Sequence, residues 1–94
     1  MKIRKHELVV VSGDGCIYCK MSKELLDDEG LPYRMVDYKT FPKFKEDGHL
    51  TIPQVYLFDR TDATYQLIEG GYQGLLDTDI DELRATLYKE TIID

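Results

Sequence analysis

Two cysteines, Cys16 and Cys19, lie in the stretch "GDGCIYCK" (Gly13–Lys20) and are the only thiols in the chain. A pair at this CxxC spacing suits three chemistries: metal ligation, a structural disulfide, or thiol–disulfide exchange. A structural zinc site needs four ligands, usually completed by a second CxxC or a paired histidine motif. The chain offers only His6 and His49, far apart in sequence, so the ligand set is incomplete and no metal is expected. A permanent staple fits no better, because a reducing cytosol keeps thiols free and so short a loop constrains the unfolded chain weakly. Exchange chemistry is the reading these residues support best.

The pair needs a scaffold, and the flanking sequence supplies one. "HELVVVS" (His6–Ser12) is valine-rich and bounded by "GDG", the pattern of a buried strand. From Cys16 onward, Ile17, Met21, Leu25 and Leu26 recur at helical spacing until Gly30 stops the helix. "LPYRMVDY" breaks at Pro32 and continues as a second short strand, which completes a βαβ unit with a parallel pair and a right-handed crossover. "TFPKFKEDGHL" (Thr40–Leu50) predicts a short helix with Thr40 as N-cap, Pro42 in the first turn and Gly48 at its end. "PQVYLFD", the turn "RTDAT" and "YQLIEGG" form a hairpin. "LLDTDIDELRATLYKE" closes the chain as an amphipathic helix, with Ile80, Leu83, Leu87 and Tyr88 on one face and Asp77 or Thr78 as its cap. Its acids do not make a calcium loop: Glu82 stands where glycine is needed and Tyr88 where the bidentate acid belongs. The expected architecture is a single α/β domain over 1–94, ordered β-α-β-α-β-β-α, with a four-stranded mixed sheet flanked by helices.

On this scaffold the two cysteines are not equivalent. Cys16 falls at a helix N-terminus, where unpaired backbone N–H groups and the positive end of the dipole favour an anion. A thiolate is such an anion, so the Cys16 pKa is expected to drop from about 8.5 into roughly the 3.5–7.5 range of such cysteines. Cys19, one turn further in and more buried, keeps its proton longer. Cys16 is therefore expected to attack a disulfide, and Cys19 to resolve the mixed disulfide.

Composition narrows the partners. Twelve basic against eighteen acidic residues give a net charge of −6, which argues against nucleic acid, whose phosphates require a dense cationic face. The first apolar run, Leu8–Val11, is too short for a signal-peptide core, and no segment approaches membrane-spanning length. The expectation is a cytoplasmic monomer with no membrane partner.

The motifs together resemble the glutaredoxin family, which has a thioredoxin-like fold. "CIYC" resembles the family's "CPYC", sharing Tyr18; "GLPYRMVD" (Gly30–Asp37) is similar to the segment leading into its second strand. "TIPQVY" (Thr51–Tyr56) is similar to "TVPxVF", and "GGYQGL" (Gly70–Leu75) to "GGxxDL", all in the family's order across nearly the whole chain. The resemblance implies a dithiol glutaredoxin with Cys16 and Cys19 as catalytic residues and glutathione as reducing co-substrate. It also implies a cis bond at Pro53, which places the Ile52 backbone beside the cysteines, free to pair with an extended peptide. Tyr18, Ile52, Pro53, Gly71, Tyr72 and Gln73 are then the residues expected to bind glutathione or a substrate's cysteine segment. Tyr18 is read as lining the site and Tyr56 as sheet packing; Tyr72 suits either role.

Three features depart from the family's pattern. Ile17 replaces the proline, Ser12, Gly13 and Asp14 stand where a lysine often contacts glutathione's terminal carboxylate, and Gly74 replaces the acid after the glycine pair. Small bacteriophage glutaredoxins are similar in length and in lacking that proline, and they suggest ribonucleotide reductase as a substrate. Two alternatives stand beside the glutathione-dependent enzyme: a thioredoxin-like reductant fed by a thioredoxin reductase, and a glutathione-ligated iron–sulfur cluster carrier.

Overall fold

Leu8, Val9, Val10 and Val11 are all fully buried, so their strand is covered on both faces, as a continuous apolar run requires. Side chains alternate across a strand, and the run accordingly feeds two cores. Leu8 and Val10 pack with Leu26, Val55, Leu75, Leu83 and Leu87 on one face, while Val9 and Val11 pack with Phe44 and Tyr56 on the other. The computed structural model describes all residues, 1–94.

In chain order the elements are β1 (Lys2–Arg4), β2 (His6–Ser12), α1 (Ile17–Asp28), β3 (Arg34–Asp37), a 3-10 turn (Tyr38–Thr40) and α2 (Pro42–Glu46). They continue with β4 (Gln54–Asp59), β5 (Thr64–Ile68), α3 (Gly71–Asp77), α4 (Ile80–Tyr88) and β6 (Glu90–Ile92). The main sheet runs β3-β2-β4-β5, with β2 parallel to β3 and antiparallel to β4, and β4 antiparallel to β5. This is the expected mixed four-stranded sheet, with α1, α3 and α4 contributing to one core and α2 to the other.

The structure corrects the expectation at three places. The terminal helix is two helices: α3 ends at Asp77, and Asp79, not Asp77 or Thr78, caps α4 by accepting a hydrogen bond from the Glu82 N–H (3.1 Å). Thr78 instead closes α3, its hydroxyl donating to the Gly74 carbonyl (2.7 Å). Thr40 does not cap α2; it ends the 3-10 turn, its hydroxyl turned back to the Asp37 carbonyl (3.3 Å), and Phe41 takes the N-cap place without a side-chain bond. Finally, the termini pair as a small second sheet, β1 with β6, a feature outside the expected order.

Candidate active site

Strand register brings three loops to one end of the sheet. Val11 near the end of β2 is paired with Gln54 at the start of β4, so the loop before β4 lies beside the loop that leaves β2. Ile68 at the end of β5 is paired with Val55, which delivers Glu69–Gly71 to the same end. The loops carrying the cysteines, the Ile52–Pro53 bond and the glycine pair therefore converge. Ligands commonly bind in such a crevice, where strands end and loops diverge.

Cys16 is the N-cap of α1, in extended conformation, and its Sγ accepts a hydrogen bond from the Cys19 N–H at 3.1 Å. That is the donor pattern of an N-cap side chain, here directed at sulfur. Cys16 and Cys19 are joined as a disulfide with Cα atoms 5.2 Å apart, so the structure is of the oxidised pair. Cys16 is partly accessible and Cys19 is buried, the asymmetry that separates an attacking sulfur from a resolving one. The Ile52–Pro53 bond is cis, and the Ile52 carbonyl oxygen lies 3.7 Å from Cys16 Sγ.

Beside the pair lies a groove of about 480 Å³, and all six residues expected to contact a ligand line it: Tyr18, Ile52, Pro53, Gly71, Tyr72 and Gln73. Tyr72 faces Tyr18 across it, with ring centroids 6.0 Å apart, so its position is at the groove rather than in the core. Tyr56, in contrast, is fully buried in the sheet. Gly70 lines the groove beside Gly71, as a glycine pair turning close past a ligand would. Thr51 and Gln54 also line it, and sequence reasoning misses them as contacts; their only signal is adjacency to "IP". Gln54 stiffens the loop by donating from Nε2 to the Thr51 carbonyl (3.0 Å) and hydroxyl (3.2 Å).

The glycines explain how closely these loops approach. Gly71 has φ +58°, and a Cβ there would come within 2.6 Å of the Pro53 carbonyl oxygen. Gly74 on α3 is buried, and a Cβ there would collide with the carbonyl oxygen of Glu69. The position where the resembled glutaredoxin pattern has an acid is thus closed by backbone in this chain.

Electrostatically the groove is neutral, since none of its nine lining residues carries a charge. Asp14 is exposed on the cysteine loop, where Lys20 and Lys23 share a shallow depression with Cys16; Lys23 is already paired with Asp27 (2.8 Å). The carboxyls that the fold holds below their usual range lie outside the groove. Asp27 is lowered by hydrogen bonds from Lys23 and Tyr33, Asp47 by the Tyr56 hydroxyl, and Asp59 by Thr61.

Comparison with known proteins adds the fold's identity. No family model and no curated protein sequence matches the chain. Among solved structures it is similar to the glutaredoxin from Brucella melitensis, with 22% identity, a TM-score of 0.64, and coverage of 89% of this chain and 94% of that one. A chain described as "Metal Binding of Glutaredoxins" aligns at 21% identity and TM-score 0.58, covering 96% and 97%. The Trx4 domain of ERdj5 aligns at 15% identity and TM-score 0.53, covering 87% and 82%. The chain therefore has the thioredoxin-like fold of the glutaredoxins, with a CxxC disulfide at the start of its first long helix.

Proposed function

We propose that this protein is a dithiol glutaredoxin, a cytoplasmic monomer that reduces protein disulfides or glutathione mixed disulfides and is itself reduced by glutathione. The observation that carries the reading is the placement of Cys16 at the N-terminus of α1, opposite the Ile52–Pro53 loop. The Cys16 thiolate attacks one sulfur of the substrate disulfide; that S–S bond breaks, the other sulfur leaves as a thiolate, and a mixed disulfide forms at Cys16. Cys19 then attacks Cys16 Sγ and releases the second substrate thiol. Two electrons pass to the substrate and the Cys16–Cys19 disulfide remains, the oxidised state of this structure. Two glutathione molecules reverse it and leave as glutathione disulfide.

Within this mechanism the Cys19 N–H stabilises negative charge on Cys16 Sγ, because a hydrogen bond to the charged form favours it. Tyr18 and Tyr72 wall the groove, and the Ile52 backbone offers a peptide a strand-like edge. Ribonucleotide reductase is the substrate that the similarity to small phage glutaredoxins suggests.

A second reading has its own support. A groove without charged side chains has no ion-pair partner for either carboxylate or for the ammonium group of glutathione. This favours a thioredoxin-type reductase as electron source, with the same Cys16/Cys19 chemistry.

The test is disulfide reduction by wild type, Cys16→Ser and Cys19→Ser, coupled in parallel to glutathione with glutathione reductase and to thioredoxin reductase. Cys16→Ser is expected to lose all turnover, while Cys19→Ser keeps partial activity on glutathione mixed disulfides and loses two-thiol reduction. Turnover surviving in Cys16→Ser would overturn the mechanism. Turnover with thioredoxin reductase alone would select the second reading.

A further inference from the structure

Next to the cysteine groove runs a second one, about 620 Å³ in volume, between the 3-10 turn, α2 and the loop that leads to Thr51. Its walls include Tyr38, Phe44 and His49, and at its rim stands Leu50, 96% exposed and the most exposed large apolar side chain of the chain. The two grooves adjoin at the cysteine loop. A Cβ on Gly13 would meet the Tyr38 ring at 2.8 Å and the Ile52 side chain at 2.9 Å, so a residue of each groove presses on that one glycine. Chain connectivity gives the same result, since Leu50 precedes Thr51 and Ile52 directly.

Two of the chain's six cations without a carboxylate partner stand at this groove. Overall the chain carries −6, and half of its twelve Lys and Arg side chains are held in ion pairs. Lys43 is one of these, tied to Asp47 at 3.1 Å. Lys39 and Lys45, both lining the second groove, have no carboxylate partner; Lys39 only lies over the Tyr38 ring, 5.7 Å from its centroid. An apolar trough with an exposed leucine at one end and two uncompensated ammonium groups is a surface suited to an apolar side chain set among carboxylates.

We infer that this groove docks the polypeptide whose disulfide Cys16 reduces, and selects substrates with a large apolar residue and acidic residues close to the target cysteine. The inference rests on the exchange chemistry proposed above and adds a partner class to it: a protein segment, held outside the groove that receives the disulfide itself.

The experiment uses reduced protein and two synthetic peptides, each with a central cysteine in a mixed disulfide with thionitrobenzoate. One carries leucine with glutamate and aspartate on both sides of the cysteine, the other leucine with lysines. The Cys16 thiolate attacks the peptide sulfur, the S–S bond breaks, and yellow thionitrobenzoate leaves and is counted. Cys19 then displaces the peptide thiol, so the two electrons come from the Cys16/Cys19 pair. Two exposed charge pairs give a preference of about threefold to tenfold in KM for the acidic peptide, shrinking as salt is raised. The double variant Lys39→Glu/Lys45→Glu reverses the preference, and Leu50→Ser weakens both peptides. All variants reduce bis(2-hydroxyethyl) disulfide, which is too small to reach the second groove, at the wild-type rate.

An acid preference that survives Lys39→Glu/Lys45→Glu overturns the docking inference while leaving the exchange chemistry intact. So does concentration-dependent dimerisation abolished by Leu50→Ser with no peptide preference, which assigns the groove to a second copy of the chain. Failure of wild type to reduce bis(2-hydroxyethyl) disulfide instead removes the exchange chemistry, and the docking inference with it.

Discussion

At the scale of single residues, Gly74 shows why likeness in sequence does not carry over side chain by side chain. The glutaredoxin pattern that the sequence resembles has an acid after the glycine pair, and Gly74 in its place reads at first as a lost ligand contact. The structure gives a steric reason: position 74 is buried and packed on the backbone of Glu69, whose carbonyl oxygen occupies the space of a Cβ. Restoring the acid with Gly74→Asp should therefore not improve binding. It forces α3 away from the end of β5, and overpacking of this kind costs about 1–3 kcal/mol. Urea unfolding is the measurement, and Gly74→Ala separates shape from charge. The steric account predicts that alanine loses most of the same stability; an alanine variant as stable as wild type would sink it.

At the scale of elements, α1 makes a second departure testable. Ile17 is the first residue of the helix, two-thirds exposed, and Cys16 before it is extended at φ −92°, ψ 104°. Both facts suit proline at position 17, since a helix tolerates proline at its first position and proline requires an extended residue before it. Ile17→Pro should fold normally and gain up to about 1 kcal/mol from a stiffer unfolded chain. Its redox equilibrium with glutathione, read by trapping the reduced fraction, should move, because the loop beside Cys16 loses an N–H donor. An unfolded Ile17→Pro variant would show that the loop needs this N–H.

Elements also show how much of the molecule is legible in the sequence. β2 is legible to the residue, because its apolar run is valine-rich and bounded by "GDG", the pattern of a strand buried on both faces. The β2-α1-β3 unit and the hairpin follow from period and turn residues. The groove residues are legible only through motif order, since no local pattern joins Tyr18 to Ile52 or Tyr72 before the strands are paired. What escapes has physical causes. Apolar Leu75, Ile80, Leu83 and Leu87 all join one core, so nothing in their periodicity marks the break at Thr78, and the acid that caps α4 is two residues beyond the expected Asp77. β1 and β6 are three residues each and mostly polar, and they exist only because the chain ends meet. There the Met1 amino group donates to the Ile93 carbonyl at 3.0 Å, and the Met1 carbonyl accepts from the Ile93 N–H at 2.9 Å.

At the scale of the whole molecule, the sheet face opposite α1 is held by a polar chain through which stability should depend on pH. The Tyr56 hydroxyl donates to Asp47 Oδ2 at 2.6 Å, and His49 Nε2 lies 2.9 Å from the same hydroxyl, so His49 donates there from Nε2. This joins β4 to the loop after α2. Asp47 is held below the usual carboxylate range first by the Tyr56 hydrogen bond and then by Lys43; Asp27 and Asp59 are lowered as well. Tyr56 itself is pushed upward, chiefly by burial and then by Asp47. For the acids the sign is clear: below about pH 4 the unfolded chain takes up protons before the folded one. Their stabilisation is complete above that pH and is lost as pH falls through the lowered folded values. For Tyr56 the reverse holds: its contribution is complete below about pH 10, where the unfolded phenol begins to ionise, and is lost as pH rises further. Tyr56→Phe tests both limbs in one series of urea midpoints against pH. At neutral pH it should cost about 1 kcal/mol, the scale of one net hydrogen bond. On the acid side its loss of stability should be shallower than that of wild type, because Asp47 no longer resists protonation. On the alkaline side the decline above about pH 10 should shrink, because the most strongly shifted phenol is gone. Parallel pH profiles for the two proteins would show that the Tyr56–Asp47 bond is not what couples this fold to pH.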